Sequence, residues 1–246
     1  MKLLWKALLN LVFPEGPECP LCGGRRRGED VCGKCRKIID GYGKEPYCAR
    51  CGRYAGKGAV FPSVAVHFCY ECRKHSWPFV RARAAGPYES VLKDAIHRFK
   101  YTGRRSLAIC LARLMAEAAC AGPVFPHLDL ALPMPLSNEK LRRRGFNQAA
   151  LLAKEVGSLL QIPVSEGLLV KDFETSPQAG LPRAARESNL MGAFRVTDSG
   201  ALRGRSILII DDVFTTGSTM SSAASVVRKA GAGQVFALTA AAGRYF

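Results

Sequence analysis

Long hydrophobic runs are missing from this sequence, and so are the commonest phosphate-binding motifs. Its most apolar terminal stretch, residues 1–13, is shorter than the roughly 20 residues that cross a bilayer. The pattern G-x-x-x-x-G-K-[ST] does not occur, and no G-x-G-x-x-G follows a predicted strand. These absences argue against an integral membrane protein, a P-loop enzyme and a Rossmann dinucleotide-binding protein.

Acidic residues are scarce relative to basic ones. The 246 residues include 36 Lys and Arg but only 20 Asp and Glu, which gives a net charge of +16. A hydrophobic content of 48% describes a globular chain, long enough for one α/β domain and a small module. The charge favours anionic partners, either a sugar pyrophosphate or a nucleic acid, and does not distinguish between them.

Residues 1–13 combine leucines with Trp5 and flanking lysines, as a signal sequence does. No small-x-small cleavage site follows them, and Pro14 and Glu15 come directly after. We therefore expect a short amphipathic helix that docks on its own protein, in a cytoplasmic protein. Peripheral contact with a membrane through Trp5 is the alternative.

Cysteines are concentrated near the N-terminus. Eight of the ten form four C-x-x-C pairs, which are typical of zinc knuckles when no secretory signal is present. The candidate metal ligands are Cys19, Cys22, Cys32, Cys35, Cys48, Cys51, Cys69 and Cys72. Cys110 and Cys120 lie in an apolar helical pattern, and we expect them to be core thiols.

The four pairs form a repeat, in which the second pair of each unit is followed by Arg-Lys. Spacers of 9 and 17 residues between the pairs suit two zinc ribbons, each holding one structural Zn²⁺ by four thiolates. A cross-braced arrangement, pairing first with third and second with fourth, is left open. We expect His67 and His75 to be bystanders, since eight cysteines fill two sites.

Residues 206–219 carry the clearest chemical pattern. Four aliphatics, Ile207 to Ile210, predict a buried parallel strand, and Asp211 and Asp212 follow them. A turn of small and hydroxyl residues then opens a helix, where free N–H groups bind phosphate. The turn consists of Thr215, Thr216, Gly217, Ser218 and Thr219. The two carboxylates are placed to accept hydrogen bonds from a ribose diol.

This segment resembles the phosphoribosyl pyrophosphate signature of type I phosphoribosyltransferases, across all thirteen positions from Ile207 to Thr219. Strands and helices alternate beyond Trp77, which predicts a parallel sheet with helices on both faces. We therefore expect an α/β fold with three parts: an N-terminal helix at 1–13, a double zinc ribbon at 14–76 and a phosphoribosyltransferase-like domain at 77–246. Residues 79–125 are expected to supply the hood that selects the acceptor.

Two further stretches carry basic and amide side chains. Residues 133–153 follow a predicted strand, and Lys140 to Arg144 precede Gly145, which predicts a mobile basic loop that closes over pyrophosphate. A solvated run of charges is the alternative. In the third stretch Gln178, Arg183, Arg186 and Asn189 are spaced at about helical intervals.

Together these motifs resemble the ComF family over essentially the whole chain. The resemblance rests on the apolar N-terminus, the double zinc ribbon, residues 96–101, Arg144 to Gln148, the 178–189 stretch and the acid-pair signature. It implies an association with DNA uptake during natural competence, and DNA-uptake proteins as partners.

The resemblance also implies roles for the site residues. Asp211 and Asp212 would hold the ribose hydroxyls and orient Mg²⁺, and residues 215–219 would bind the 5′-phosphate. Arg144 would cover the leaving pyrophosphate. The implied activity is transfer of the phosphoribosyl group from phosphoribosyl pyrophosphate to an acceptor that the sequence does not identify.

A second hypothesis is an accessory protein that binds single-stranded DNA and whose phosphoribosyl site senses ligand or lacks turnover. Cations beside aromatic rings neutralise phosphates and stack on bases. The candidate residues are Arg25 to Arg27, Arg73, Lys74, Arg81, Arg83, Phe68, Tyr70 and Trp77. A solubilising surface on a metal-bound module is the alternative interpretation of these residues.

Overall fold

The computed structural model describes residues 18–25, 31–59, 67–121, 125–172 and 192–245. The predicted helix at 1–13 and the stretch from Gln178 to Asn189 therefore lie outside the described residues. No helix within the described ranges is long and apolar enough to cross a membrane.

Four parallel strands form the central sheet. The strands of the described chain are β1 Tyr54–Ala55, β2 Arg81–Ala84, β3 Leu130–Pro133, β4 Leu169–Lys171, β5 Phe194–Val196, β6 Ser206–Phe214, β7 Gln234–Ala242 and β8 Arg244–Tyr245. The central order is β2–β7–β6–β3, with β6 and β7 in the middle. The remaining strands pair as β4 with β5, antiparallel, and β1 with β8, parallel.

Helices cover both faces of this sheet. They are α1 Gly33–Lys44, α2 Tyr70–Lys74, α3 Ser90–Tyr101, α4 Leu107–Cys120, α5 Asn138–Arg144, α6 Gln148–Leu160 and α7 Ser218–Lys229. Helices α3, α4 and α6 pack on one face and α7 packs on the other. The predicted fold class, a parallel sheet wrapped on both sides, is confirmed.

Strand β6 explains why the sequence folds this way. Leu208 and Ile210 point to the face covered by α3, α4 and α6, whereas Ile207 and Ile209 point to the face covered by α7. All four are fully buried. Burying one such side chain stabilises the fold by about 1.5–3 kcal/mol. Because both faces of the strand are covered at these positions, residues 207–210 are apolar without alternation.

The C-terminal end of the chain packs against the second cysteine unit. Strand β8 pairs with β1, and Tyr54 N donates to the Gly243 carbonyl over 3.1 Å. The Arg244 guanidinium binds Glu45 at 2.7 Å and Glu89 at 2.8 Å, and the residue retains 11% side-chain exposure. The second cysteine unit therefore packs against the chain segment that follows β7.

Two expectations about this region were wrong. Strand β2 was assigned to a hood, but it pairs with β7 as an edge strand of the central sheet. Asp211 and Asp212 were expected to follow the buried strand, but β6 continues through both of them to Phe214, because Val213 and Phe214 pair with Ala241 and Ala242 of β7.

Candidate functional site

Asp211 and Asp212 lie at the carboxyl end of a central parallel strand, where ligands collect in open α/β sheets. They belong to β6 itself, so their side chains leave the backbone on alternate sides. Asp212 N donates to Asp211 Oδ1 over 2.8 Å, which fixes the Asp211 side chain against its own strand.

Lys100 is paired with one of these carboxylates. The last turn of α3 brings Lys100 Nζ to 2.9 Å from Asp212 Oδ1. Burial alone would lower the pKa of Lys100, but the charge and hydrogen bond of Asp212 outweigh it, and the pKa is raised. The ammonium therefore stays charged and neutralises Asp212.

Asp211 has a perturbed acidity. Burial raises its pKa from 3.8 to about 7, and the negative charge of Asp212 acts in the same direction. The positive charges of Lys100 and Arg144 act against this rise. At neutral pH the carboxyl of the ligand-free protein is therefore partly protonated, and a cation or hydroxyl donor nearby would favour its charged form.

The hydroxyl-rich turn begins at Thr215, directly after the end of β6. A cavity of about 40 Å³ is lined by Asp211 and by residues 213–220. Gly217 takes a left-handed conformation with φ of 82°, and α7 begins at Ser218. Thr216 Oγ1 and Ser218 Oγ lie 3.2 Å apart. The free N–H groups of the helix start and these hydroxyls form a surface that suits a phosphate group.

Arg144 lies on the same side of the molecule. Lys140 to Arg144, predicted to form a mobile basic loop, instead lie in helix α5, which is capped by Gly145 with φ of 75°. Arg144 Nη1 donates to Gln148 Oε1 over 2.9 Å, and its guanidinium lies 5.3 Å from the centroid of the Tyr101 ring. Its positive charge acts on Asp211 and opposes the rise in the pKa of that carboxyl.

The residues after Gly145 fix this basic helix to the sheet. Asn147 caps α6 by accepting from Ala149 N over 3.0 Å, and its amide donates to the Met134 carbonyl over 3.1 Å. Gln148 is buried, with 1% exposure. The motif from Arg144 to Gln148 therefore connects the basic helix to the end of β3, beside the acid-bearing strand.

The cysteines form two four-sulfur clusters. One contains Cys19, Cys22, Cys32 and Cys35, and the other contains Cys48, Cys51, Cys69 and Cys72, with all sulfurs of a cluster within 4.8 Å of one another. The pairing within each unit is confirmed, and the cross-braced arrangement is wrong.

The clusters fit tetrahedral zinc. Zn–S bonds of about 2.3 Å place the sulfurs roughly 3.8 Å apart, and the contacts Cys22–Cys32 and Cys51–Cys69 are both 3.7 Å. Backbone N–H groups also donate to Cys19 and Cys48, each over 3.3 Å. Such bonds favour thiolate and orient the ligand.

The two nearby histidines belong to neither cluster, as expected. His67 stacks on Tyr245 with ring centroids 5.6 Å apart, and His75 Nε2 lies 3.7 Å from Glu71 Oε2.

Two aromatic rings of the second cysteine unit are exposed beside positive charges. Phe68 and Tyr70 are 37% and 53% exposed, and they border an open groove of about 410 Å³. Cations lie over both rings: Arg50 over Phe68 at 5.7 Å and Lys74 over Tyr70 at 4.6 Å. This surface offers stacking faces beside positive charge.

One candidate for nucleic-acid contact was wrong. Arg83 is 5% exposed and packs over the Tyr47 ring at 3.4 Å. Trp77 is half-buried, and its ring packs on Phe79 and Phe214.

Sequence reasoning missed Lys100 as a site residue. It lies in the quoted stretch 96–101, but a lysine on an amphipathic helix is usually solvated. No signal in the sequence identified it, because its partner Asp212 is brought close only by the fold.

Comparison with known proteins gives matches in both halves of the chain. Residues 8–73 match the Double zinc ribbon domain, and residues 142–244 match the Phosphoribosyl transferase domain.

Three relatives match over most of their length. Competence protein F of Haemophilus influenzae is 31% identical over 209 residues, covering 83% of this chain and 87% of that protein. Competence protein ComFC of Bacillus subtilis is 29% identical over 213 residues, covering 82% and 80%. DNA utilization protein YhgH of Escherichia coli K12 is 29% identical over 194 residues, covering 76% and 80%.

Proposed function

The chain belongs to the ComF family of competence proteins, and we propose that it binds phosphoribosyl pyrophosphate with Mg²⁺ and transfers the phosphoribosyl group to an acceptor during the handling of imported DNA. The observation that carries this proposal is the shared cavity of Asp211 and the hydroxyl turn. The carboxylate of Asp211 suits the ribose hydroxyls of a ribose 5-phosphate, and the hydroxyl turn suits its 5′-phosphate.

Each part of the substrate has a counterpart in the site. Residues 215–219 bind the 5′-phosphate through N–H groups and hydroxyls at the start of α7. Asp211 and Asp212 accept hydrogen bonds from the ribose diol. Arg144, at the end of α5, neutralises the pyrophosphate.

Catalysis in this proposal depends on position and charge. The bond from ribose C1 to the pyrophosphate oxygen breaks, and its electron pair leaves with pyrophosphate. A lone pair of the acceptor forms the new bond to C1 from the opposite face, and the acceptor's displaced proton passes to solvent. Arg144 stabilises the charge that develops on the leaving group.

Bound Mg²⁺ would supply further positive charge to the pyrophosphate. Carboxylate and water oxygens are the ligands that it prefers, and Asp211 and Asp212 provide the former. Lys100 Nζ lies 2.9 Å from Asp212 Oδ1 and holds this carboxylate in place beside the ligand. Asp211 becomes ionised when a cation or the diol replaces its proton.

The cellular setting follows from the cysteines. Thiolates that hold zinc must stay reduced, which suits the cytoplasm. We propose that location for the protein.

Calorimetric titration of Mg²⁺–phosphoribosyl pyrophosphate tests the binding step. We expect micromolar-range binding by the wild type and at least a hundredfold loss in Asp211→Asn, which keeps the side-chain shape. Asp40→Asn is the matched control, since Asp40 is exposed on α1. Equal binding by the wild type and Asp211→Asn would overturn the site. Pyrophosphate release with water, amines and nucleobases then tests turnover and the acceptor class.

A second candidate function is direct binding of single-stranded DNA, which the exposed rings of Phe68 and Tyr70 favour. Stacking on such rings contributes about 1–3 kcal/mol per base, and the adjacent Arg50 and Lys74 neutralise phosphates.

Fluorescence anisotropy with a labelled oligonucleotide tests this function. We expect Phe68→Ala/Tyr70→Ala to weaken binding at least tenfold, with an unchanged dependence on salt. Leu159→Ala is the control, because Leu159 is an exposed apolar residue on α6. Similar affinity in both variants would place DNA elsewhere or show that it is not bound.

A further inference from the structure

Trp77 lies between the second four-cysteine cluster and the proposed phosphate turn. Its indole Nε1 donates a hydrogen bond to Cys72 Sγ over 3.1 Å. A metal-bound sulfur carries negative charge, which makes an N–H bond to it charge-assisted and stronger than a neutral one. Trp77 therefore orients a cysteine ligand of the zinc site without binding the metal itself.

The six-membered ring of the same indole contacts the backbone of the turn. A Cβ built on Gly217 would fall 2.9 Å from Cη2 and Cζ3 of Trp77, and 2.5 Å from Phe214 Cζ. Any other residue at this position would force one of these rings to shift. The turn between β6 and α7 therefore lies directly on the ring.

Two phenylalanines hold the indole in this position. The ring centroid of Trp77 lies 5.2 Å from that of Phe79 and 6.3 Å from that of Phe214, and the two phenylalanines are 6.0 Å apart, edge to face. Phe214 is the last residue of β6, just before the turn. In a close-packed interior a shift of one ring displaces its neighbours.

We propose that Trp77 is a positioning residue that couples the second zinc site to the phosphate-binding turn, so that zinc and the phosphate ligand each strengthen the binding of the other. This inference rests on the proposed function. The Cys72 sulfur fixes the indole, and the indole fixes the left-handed Gly217, whose φ of 82° sets the direction of the N–H groups.

Reciprocity makes the coupling measurable from the metal side. If zinc in the second site tightens ligand binding by some factor, the ligand must tighten zinc binding by the same factor. The first site does not contact the turn within the described residues. Its knuckle is bound instead by Arg98, which donates to the carbonyls of Pro20 and Leu21.

Zinc release to a zinc-selective chelator in excess Mg²⁺ tests the proposal. The wild type and Trp77→Phe are compared with and without saturating Mg²⁺–phosphoribosyl pyrophosphate, whose binding is confirmed by calorimetry. Phenylalanine keeps an aromatic ring and removes the N–H donor. We expect the ligand to slow the release of one of the two zinc ions about fivefold in the wild type. The chelator concentration that removes half of this zinc at equilibrium should rise by a similar factor, a coupling of about 1 kcal/mol.

In Trp77→Phe we expect zinc release to be the same with and without ligand. A merely structural role would speed release equally in both conditions and leave their ratio unchanged. The coupling is overturned if the ligand binds but does not slow release, or if the slowing persists in Trp77→Phe. An absence of binding heat in the wild type would instead contradict the proposed function itself.

Tryptophan fluorescence gives a second test that leaves position 77 unchanged. The sequence has two tryptophans, so Trp5→Phe makes Trp77 the single emitter. We expect its emission to change on ligand addition, with the midpoint found by calorimetry, and to change again when zinc is withdrawn. Heat of binding without any change in emission would overturn the coupling.

Discussion

Lys100 Nζ lies 2.9 Å from Asp212 Oδ1, and this contact joins the last turn of α3 to the acid-bearing end of β6. The two side chains retain only 17% and 11% exposure. A buried pair of this kind contributes little net stability, whereas removal of one partner leaves an uncompensated charge. The helix of residues 90–101 is thereby tied to the candidate site.

We expect Lys100→Met to lower the free energy of unfolding by about 3–5 kcal/mol, because Asp212 would remain buried without a counter-charge. Urea denaturation of the zinc-loaded protein at pH 7.5 measures this. Lys93→Met, on an exposed position of the same helix, is the control and should change stability by less than about 0.5 kcal/mol. Similar losses in both variants would contradict a special role for the pair.

The double variant Lys100→Met/Asp212→Leu extends this prediction. Replacement of both charges by apolar groups removes the unpaired carboxylate, so the double variant should be more stable than Lys100→Met alone. Additive losses would show that the two residues do not interact.

The pH dependence of ligand binding follows from Asp211. Burial and the Asp212 charge raise the pKa of Asp211 to about 7. In the proposed site, the ionised carboxylate is the form that binds Mg²⁺ and the ribose diol. We therefore expect affinity for Mg²⁺–phosphoribosyl pyrophosphate to rise between pH 6 and 8 and to level off above. Titration in two buffers of different ionisation enthalpy should show proton release on binding near pH 6.5, and the release should disappear above pH 8.

The same shift has the opposite effect on the stability of the ligand-free protein. Since the folded state holds the Asp211 proton more tightly than the unfolded state, this residue's stabilising contribution is complete below pH 3.8 and is lost as pH rises through about 7. Asp211→Asn should therefore remove a part of the stability change between pH 5 and 8.

Gly217→Ala tests the close approach of the turn to Trp77. Gly217 and Gly58 have nearly equal φ values of 82° and 81°, but a Cβ on Gly58 would meet nothing within 4 Å. Both alanine variants carry the left-handed strain of about 1–2 kcal/mol, and only Gly217→Ala adds overpacking of about 1–3 kcal/mol. We expect Gly217→Ala alone to lose ligand binding by calorimetry; equal behaviour of the two variants would contradict this.

The sequence predicted the elements that local patterns determine. Ile207 to Ile210 identified the central strand because a strand buried on both faces is apolar at every position. The repeat of C-x-x-C units predicted two zinc ribbons, but its spacing permitted two pairings. Only the folded chain brings Cys22 to 3.7 Å from Cys32 and so decides between them.

Long-range contacts account for what the sequence did not predict. Strand β6 extends to Phe214 because β7 continues beside it, which no local pattern indicates. In the sequence, Lys100 belongs to the polar face of an amphipathic helix, and Trp77 lies at the predicted boundary between two domains. Their roles depend on Asp212 and Gly217, which follow more than a hundred residues later in the chain. Such pairings are set by topology.

Arg144 differs from the other arginines of α5 in its proximity to the candidate site. It lies at the end of α5 with its charge acting on Asp211, whereas Arg142 of the same helix is exposed. We expect Arg144→Gln to weaken ligand binding about tenfold, through the loss of a charge-assisted contact to pyrophosphate. The pKa of Asp211 should also rise, which moves the pH dependence of binding upward. Calorimetry at pH 6.5, 7.5 and 8.5 measures both effects, and Arg142→Gln should stay within twofold of the wild type. Equal losses in the two variants would mean that the helix acts only through its total charge.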